Sequence, residues 1–166
     1  MATYKTARFG SLEVPDHEQL EFSRGILGFE SHRRFVHVEI AEEFPFGWLQ
    51  SLEDPQVAFV VANPALFFPK YTVEVDPREL GDVRPESNEK LLVLGICTVP
   101  SAPKDATINL QGPLVINLAS HKGKQLVLNH SDYATQHRLL ENSKGAEGTR
   151  PTAAKAPMSR AASARV

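Results

Sequence analysis

Apolar and polar residues alternate along much of this chain with a period of two. Val36, Val38 and Ile40 are separated by His37 and Glu39, and Tyr71, Val73 and Val75 by Thr72 and Glu74. That spacing predicts strands with one buried face. Val57–Ala62, Leu91–Val99, Leu114–Leu118 and Gln125–Leu128 are continuous apolar, β-branched runs of strand length, as expected where both faces are covered. Tyr4–Phe9, Leu12–Val14 and Leu20–Phe22 are shorter candidates. Gly and Pro punctuate the gaps: Gly10, Gly25, Gly28, Pro45, Pro55, Pro64, Pro69, Pro77, Pro85, Pro100, Pro103, Pro113 and Gly123 all fall between runs. No segment keeps a helical apolar stripe over three turns. Short helical turns are predicted at Glu30–Arg34, Pro77–Leu80 and Ser131–Leu140. The pattern predicts an all-β fold, a small antiparallel β-barrel-like single domain, with Leu114–Leu118 and Gln125–Leu128 joined as a hairpin through Gly123.

The pattern stops near residue 140. Beyond it the chain is rich in Ala, Ser, Thr, Gly and Pro and lacks aromatic residues, so it cannot bury enough surface to offset its chain entropy. The expected organisation is a β domain over 1–140 and a disordered basic tail over 141–166. The tail holds five Lys or Arg against two Glu, a net +3. The rest carries 13 against 18, a net −5. A body of that sign repels phosphate, so direct nucleic-acid binding is not expected. No run approaches the ~20 apolar residues that span a bilayer, and the N-terminus has no apolar signal stretch. A cytoplasmic monomer is expected. The single cysteine, Cys97, lies inside an apolar run and is expected to be a buried, unreactive thiol.

Catalytic chemistry finds no footing. There is no nucleophile elbow, phosphate-binding loop, His-Glu-x-x-His or Cys-x-x-Cys, and the six histidines have no metal-ligand spacing. No catalytic residue, metal or cofactor is expected, and His37 and His121 are expected at the surface. What stands out is a stretch from Phe35 to Pro69 without Lys or Arg. It carries Glu39, Glu42, Glu43, Glu53 and Asp54, with Phe44, Phe46 and Trp48 alongside. Carboxylates beside aromatics can bury area against a basic protein. Trp48 is expected in the core. Gly25-Ile26-Leu27-Gly28-Phe29-Glu30 is expected to be a tight turn anchored by Phe29.

Six segments in order, Phe22–Glu30, Phe46–Ser51, Ala58–Pro64, Phe68–Tyr71, Thr107–Asn117 and Gly123–Leu128, make the chain resemble the flagellar assembly factor FliW family. Leu27 stands where many members have Pro, and Gly112 where Ala is common. The resemblance implies a barrel-like all-β fold without enzymatic activity and two competing partners. One is CsrA, a basic dimeric regulator that represses flagellin mRNA, and the other is unexported flagellin. Flagellin that accumulates occupies FliW and frees CsrA to repress. FliW acts on CsrA away from its RNA surface. The alternative is a flagellin chaperone that protects the subunit before export. Within this frame Glu39, Glu42, Glu43, Phe44, Phe46, Glu53 and Asp54 are the expected regulator-facing patch, while the motif glycines and Asn117 are expected to serve turns and backbone hydrogen bonds.

Overall fold

The computed structural model describes residues 1–86, 89–129 and 132–139, and the backbone of a two-residue strand at 162–163. The remainder of the expected tail, with Ser131 and Leu140, lies outside the described residues. The strands are β1 (Ala2–Thr6), β2 (Gly10–Val14), β3 (Gln19–Phe22), β4 (Arg34–Glu39), β5 (Phe46–Ser51), β6 (Ala58–Ala62), β7 (Leu91–Thr98), β8 (Thr107–Ile108), β9 (Leu114–Asn117), β10 (Lys122–Gln125), β11 (His137–Arg138) and β12 (Ala162–Ser163).

Seven of these close a barrel in the order β3-β4-β5-β6-β7-β9-β10, and β10 returns to β3. All of its pairings are antiparallel except that closure, where Lys122 and Gly123 run parallel to Glu21 and Phe22. The inward face carries Leu20, Phe22, Phe35, Leu49, Val61, Leu92, Leu94, Leu114 and Ile116. The Phe22 and Phe35 rings meet edge to face with centroids 5.4 Å apart. Each such side chain contributes about 1.5–3 kcal/mol on leaving water.

Two further apolar layers lie outside the barrel. The β1–β2 hairpin packs over β4, joining Tyr4, Leu12 and Val14 to Val36 and Val38. On the other side Phe67, Tyr71, Val73, Leu80 and Val83 cover the outward residues Leu91, Val93, Cys97 and Val115. Tyr71 is tied down by its hydroxyl, which donates to the Leu110 carbonyl at 2.8 Å. Asn117 ends β9. Its Oδ1 accepts from the Ala119 and Ser120 amides, and its Nδ2 donates to Val83 O and Glu89 Oε2. That is the backbone role expected of it.

The all-β barrel is as expected, and several local readings need correction. Tyr71–Val75 buries alternate residues but forms no strand, because it lies as a cover with no ladder partner. Gly123 is not a hairpin turn; it sits inside β10, one residue into the closure. Phe46–Ser51, read as an aromatic motif, is a barrel strand. The helical turn expected at Pro77–Leu80 is present as the start of a 3-10 segment, Pro77–Val83, that kinks at Gly81 and is opened by Asp76, whose side chain accepts from the Arg78 amide. Glu30–Arg34 is a turn leading into β4, and the described part of Ser131–Leu140 holds β11 instead of a helix.

A Cβ placed on Gly123 would lie 2.4 Å from Phe22 Cζ, inside the packed barrel. The Phe22 ring is wholly buried and cannot swing aside. Gly123→Ala is therefore expected to destabilise the fold by about 2–3 kcal/mol, read as a lower urea midpoint by Trp48 fluorescence. An unchanged midpoint would mean that the closure is looser than this geometry.

Candidate functional site

The seven residues of the expected acidic patch do not form one cluster. β4 and β5 pair antiparallel, Phe35 with Ser51 through Glu39 with Gly47. The turn after β4 therefore lies at one end of this ribbon and the turn after β5 at the other, about 17 Å away for a six-residue strand. Glu39, Glu42, Glu43, Phe44 and Phe46 gather at the first end, and Glu53 and Asp54 at the second.

At the first end a single 3-10 turn, Ala41–Glu43, projects Glu42 and Glu43 into solvent. The following Phe44–Pro45 bond is cis, and β5 begins at Phe46. Phe46 faces away from the barrel interior and lies 6.1 Å from the Phe67 ring, so it belongs to the outer apolar layer. Trp48 also points outward, in contrast to the core position expected. Its indole Nε1 donates to Glu43 Oε2 at 2.6 Å, the Arg8 guanidinium lies 3.9 Å above its ring, and Phe9 meets it edge on at 6.1 Å. The guanidinium on an indole face is a cation–π contact, of order 1 kcal/mol at a partly exposed site. Glu43, Trp48 and Arg8 thus form a stacked unit in which an acid holds the ring and a base caps it. The sequence contains no local signal for Arg8, which arrives from the β1–β2 turn through tertiary packing.

At the second end the acids are employed structurally. Glu53 Oε1 accepts from the Arg33 and Arg34 amides at 2.5 and 2.7 Å. Slight burial works the other way, but those two amides, with the charges of Arg34 and His32, hold its carboxyl below the usual carboxylate range. Asp54 accepts from the Gln56 amide and lies 3.7 Å from His32 Nε2.

The Gly25–Glu30 turn also caps the second end. Gly25 and Gly28 adopt φ of +63° and +86°, and a Cβ at Gly25 would lie 2.6 Å from Glu30 Cα. Phe29 anchors the turn by meeting Phe59 edge to face at 5.0 Å, as its expected role requires. Leu27 stands 63% exposed at the tip, its amide held by Gln125 Oε1.

His37 departs from its expected surface position. Val36 and Val38 face the β1–β2 hairpin, so His37 shares the inward side with Phe35 and is half-buried, with its Nδ1 enclosed and unpartnered. Burial lowers its pKa to about 4. Cys97 is buried as expected, and burial raises its thiol to about 12. No group of three or more His, Cys, Asp or Glu among the described residues could hold a metal ion. No helix there is long and apolar enough to cross a membrane.

Fold and site together define a small β-barrel whose distinctive surface lies in the turns at its two ends. A family model described as FliW protein matches residues 3–139, and the chain belongs to the FliW family. It is 40% identical over 138 residues to the flagellar assembly factor FliW of Alkaliphilus metalliredigens, covering 82% of this chain and 85% of that one. The FliW of Treponema denticola is 39% identical over 136 residues, 82% and 92% of the two chains. A crystal structure of the flagellar assembly factor FliW superposes with a TM-score of 0.77 at 34% identity, over 83% of this chain and 96% of that one.

The neutral His37 makes stability depend on pH. Its folded pKa lies below the unfolded value of 6.5, so above pH 6.5 it is neutral in both states. On acidification from 6.5 to about 4 only the unfolded chain takes up the proton, and stability falls by up to about 1.4 kcal/mol per pH unit. His37→Gln is expected to flatten that slope between pH 7.5 and 5 in urea unfolding. A slope equal to the parent's would show that His37 is not the group responsible.

Proposed function

We propose that this chain is a cytoplasmic flagellar assembly factor that antagonises the translational regulator CsrA and is itself sequestered by flagellin. The relatives' names support the flagellar assembly role. The observation that carries the CsrA reading is the acidic end of the barrel. Glu42 and Glu43 project from one short turn beside Phe44, with Glu39 adjacent. Arg8 is the base placed among them, and it is stacked on Trp48. Exposed carboxylates around a fixed indole and a half-buried Phe suit a basic partner, with charge steering the encounter and the aromatics supplying buried area. A body of net −5 has the same preference and disfavours RNA.

The positions of the acids support a smaller contact patch than the seven residues expected. Glu53 and Asp54 sit at the far end of the β4–β5 ribbon and are engaged with backbone and His32. We therefore assign regulator contact to Glu39, Glu42, Glu43 and Phe44, with Phe46 positioning the turn from the outer layer. Under this reading CsrA and flagellin compete for one small domain, so flagellin synthesis follows export.

Charge reversal separates the two ends. Glu42→Lys with Glu43→Lys is expected to weaken CsrA binding by well over tenfold in titration calorimetry, with the fold intact by circular dichroism. Asp54→Lys is expected to leave the affinity within twofold. Equal affinities for all three proteins would overturn the assignment.

A further inference from the structure

Trp48 belongs to two neighbourhoods. One is the turn of Glu43, whose carboxylate holds its Nε1. The other is a cleft of about 420 Å³ on the outer face of β5 and β6, between the β1–β2 turn and the β5–β6 turn. The Ala7 amide donates to the Pro55 carbonyl at 2.9 Å and ties those two turns together. Trp48, Gln50 and Ala58 line the cleft from the sheet, and the exposed Arg8 and Gln56 line it from the turns. Ala58 is the cross-strand partner of Gln50, so only a methyl group stands beside the amide on that strand.

Gln50 leaves one group unused. Its Nε2 donates to the Ser51 and Val57 carbonyls at 2.9 and 3.1 Å, which commits both amide hydrogens. A flipped amide would set oxygen against oxygen at both places, so the orientation is fixed. Oε1 is therefore a buried acceptor without a donor, on a side chain that is wholly enclosed. Buried acceptors require a donor. Trp48 lies two residues away on the same side of β5, about 7 Å along the strand. An indole face with an acceptor at that spacing suits an arginine side chain. The planar guanidinium stacks on aromatic rings and carries several N–H donors, whereas the lysine ammonium is a compact, strongly hydrated point charge.

The chain's own Arg8 already makes half of this fit. Its guanidinium lies 3.9 Å over the indole and has no carboxylate or carbonyl partner among the described residues. We propose that Trp48 and Gln50 form a site for an arginine side chain, that Arg8 is its resident placeholder, and that an arginine of a basic protein partner displaces Arg8, stacks on Trp48 and donates to Gln50 Oε1. Moving two exposed side chains, Arg8 and Gln56, uncovers the acceptor and leaves the backbone in place. The exchange of one cation for another leaves the charge of the cleft unchanged, and Glu43, bonded to the same indole, attracts the newcomer. Naming CsrA as the source of that arginine rests on the function proposed above; the site itself does not.

Trp48 is the single tryptophan, so its indole N–H resonance reports on the site directly. The probe is N-acetyl-arginine methylamide, a cation without a carboxylate, titrated into the full chain. Arg8→Ala is expected to bind it saturably and at least fivefold more tightly than the parent does. The Trp48 indole and Gln50 side-chain amide resonances should shift on one common curve. N-acetyl-lysine methylamide should bind at least threefold more weakly. Arg8→Gln, which removes the charge and keeps the length, should also gain affinity for the arginine probe, and both variants should keep the parent's circular dichroism. No saturable shift in either variant, equal affinity in variants and parent, or equal affinity for the two probes would overturn the proposal. CsrA affinity, measured in parallel, is expected to rise at least threefold in Arg8→Ala. Probe binding as expected with an unchanged CsrA affinity would uphold the site and remove CsrA as the source of its arginine.

Discussion

At Gly123 the backbone of β10 lies against the ring of Phe22 so closely that no side chain fits between them. That contact joins the last barrel strand to the first. If it opened, β3 and β10 would both become edges, and the inward side chains of Leu20, Phe22, Phe35, Leu114 and Ile116 would lose their enclosing wall. The outer layers depend on the same closure. The β1–β2 hairpin rests on β4, and the cover from Phe67 to Val83 rests on β7 and β9. Neither layer has a platform unless the barrel holds its curvature. The end turns that carry the acids and Leu27 are positioned in turn by those strands.

Much of this architecture was legible because strand periodicity and turn residues are local. The readings at Val36–Ile40, Val57–Ala62, Leu91–Val99 and Leu114–Leu118 fall on the strands Arg34–Glu39, Ala58–Ala62, Leu91–Thr98 and Leu114–Asn117, with ends shifted by a residue or two. The failures share one cause. Alternation reports burial on one face without saying what buries it. In β4 the polar-looking side turns inward at His37, which is half-buried with its Nδ1 enclosed. In Tyr71–Val75 alternation is present without a neighbouring strand, because the segment is a lid over the barrel wall. Trp48 looks like core by residue type and is held on the outside by Arg8 and Glu43.

The candidate site was legible in composition and not in shape. The absence of Lys and Arg from Phe35 to Pro69 marks an acidic region. An antiparallel ribbon then folds that region back on itself, so acids close in sequence end at opposite poles of the molecule. Only pairing register distinguishes solvent-projecting acids such as Glu42 from an acid such as Glu53, which serves the backbone. Register is a tertiary property, and it places Glu39, Glu42, Glu43 and Phe44 together at one end of the barrel.

The double amide bond of Glu53 bears on how β4 finds its place. A strand with one greasy face cannot slip by one residue without turning that face to water. β4 has apolar residues on both sides, Phe35 toward the interior and Val36 and Val38 toward the hairpin. A slipped β4 would still bury hydrocarbon, so greasiness discriminates poorly between alignments. Glu53, gripping the Arg33 and Arg34 amides from the next turn, fits one alignment only. It works as a gauge stop, setting how far β4 slides along β5 before the barrel locks.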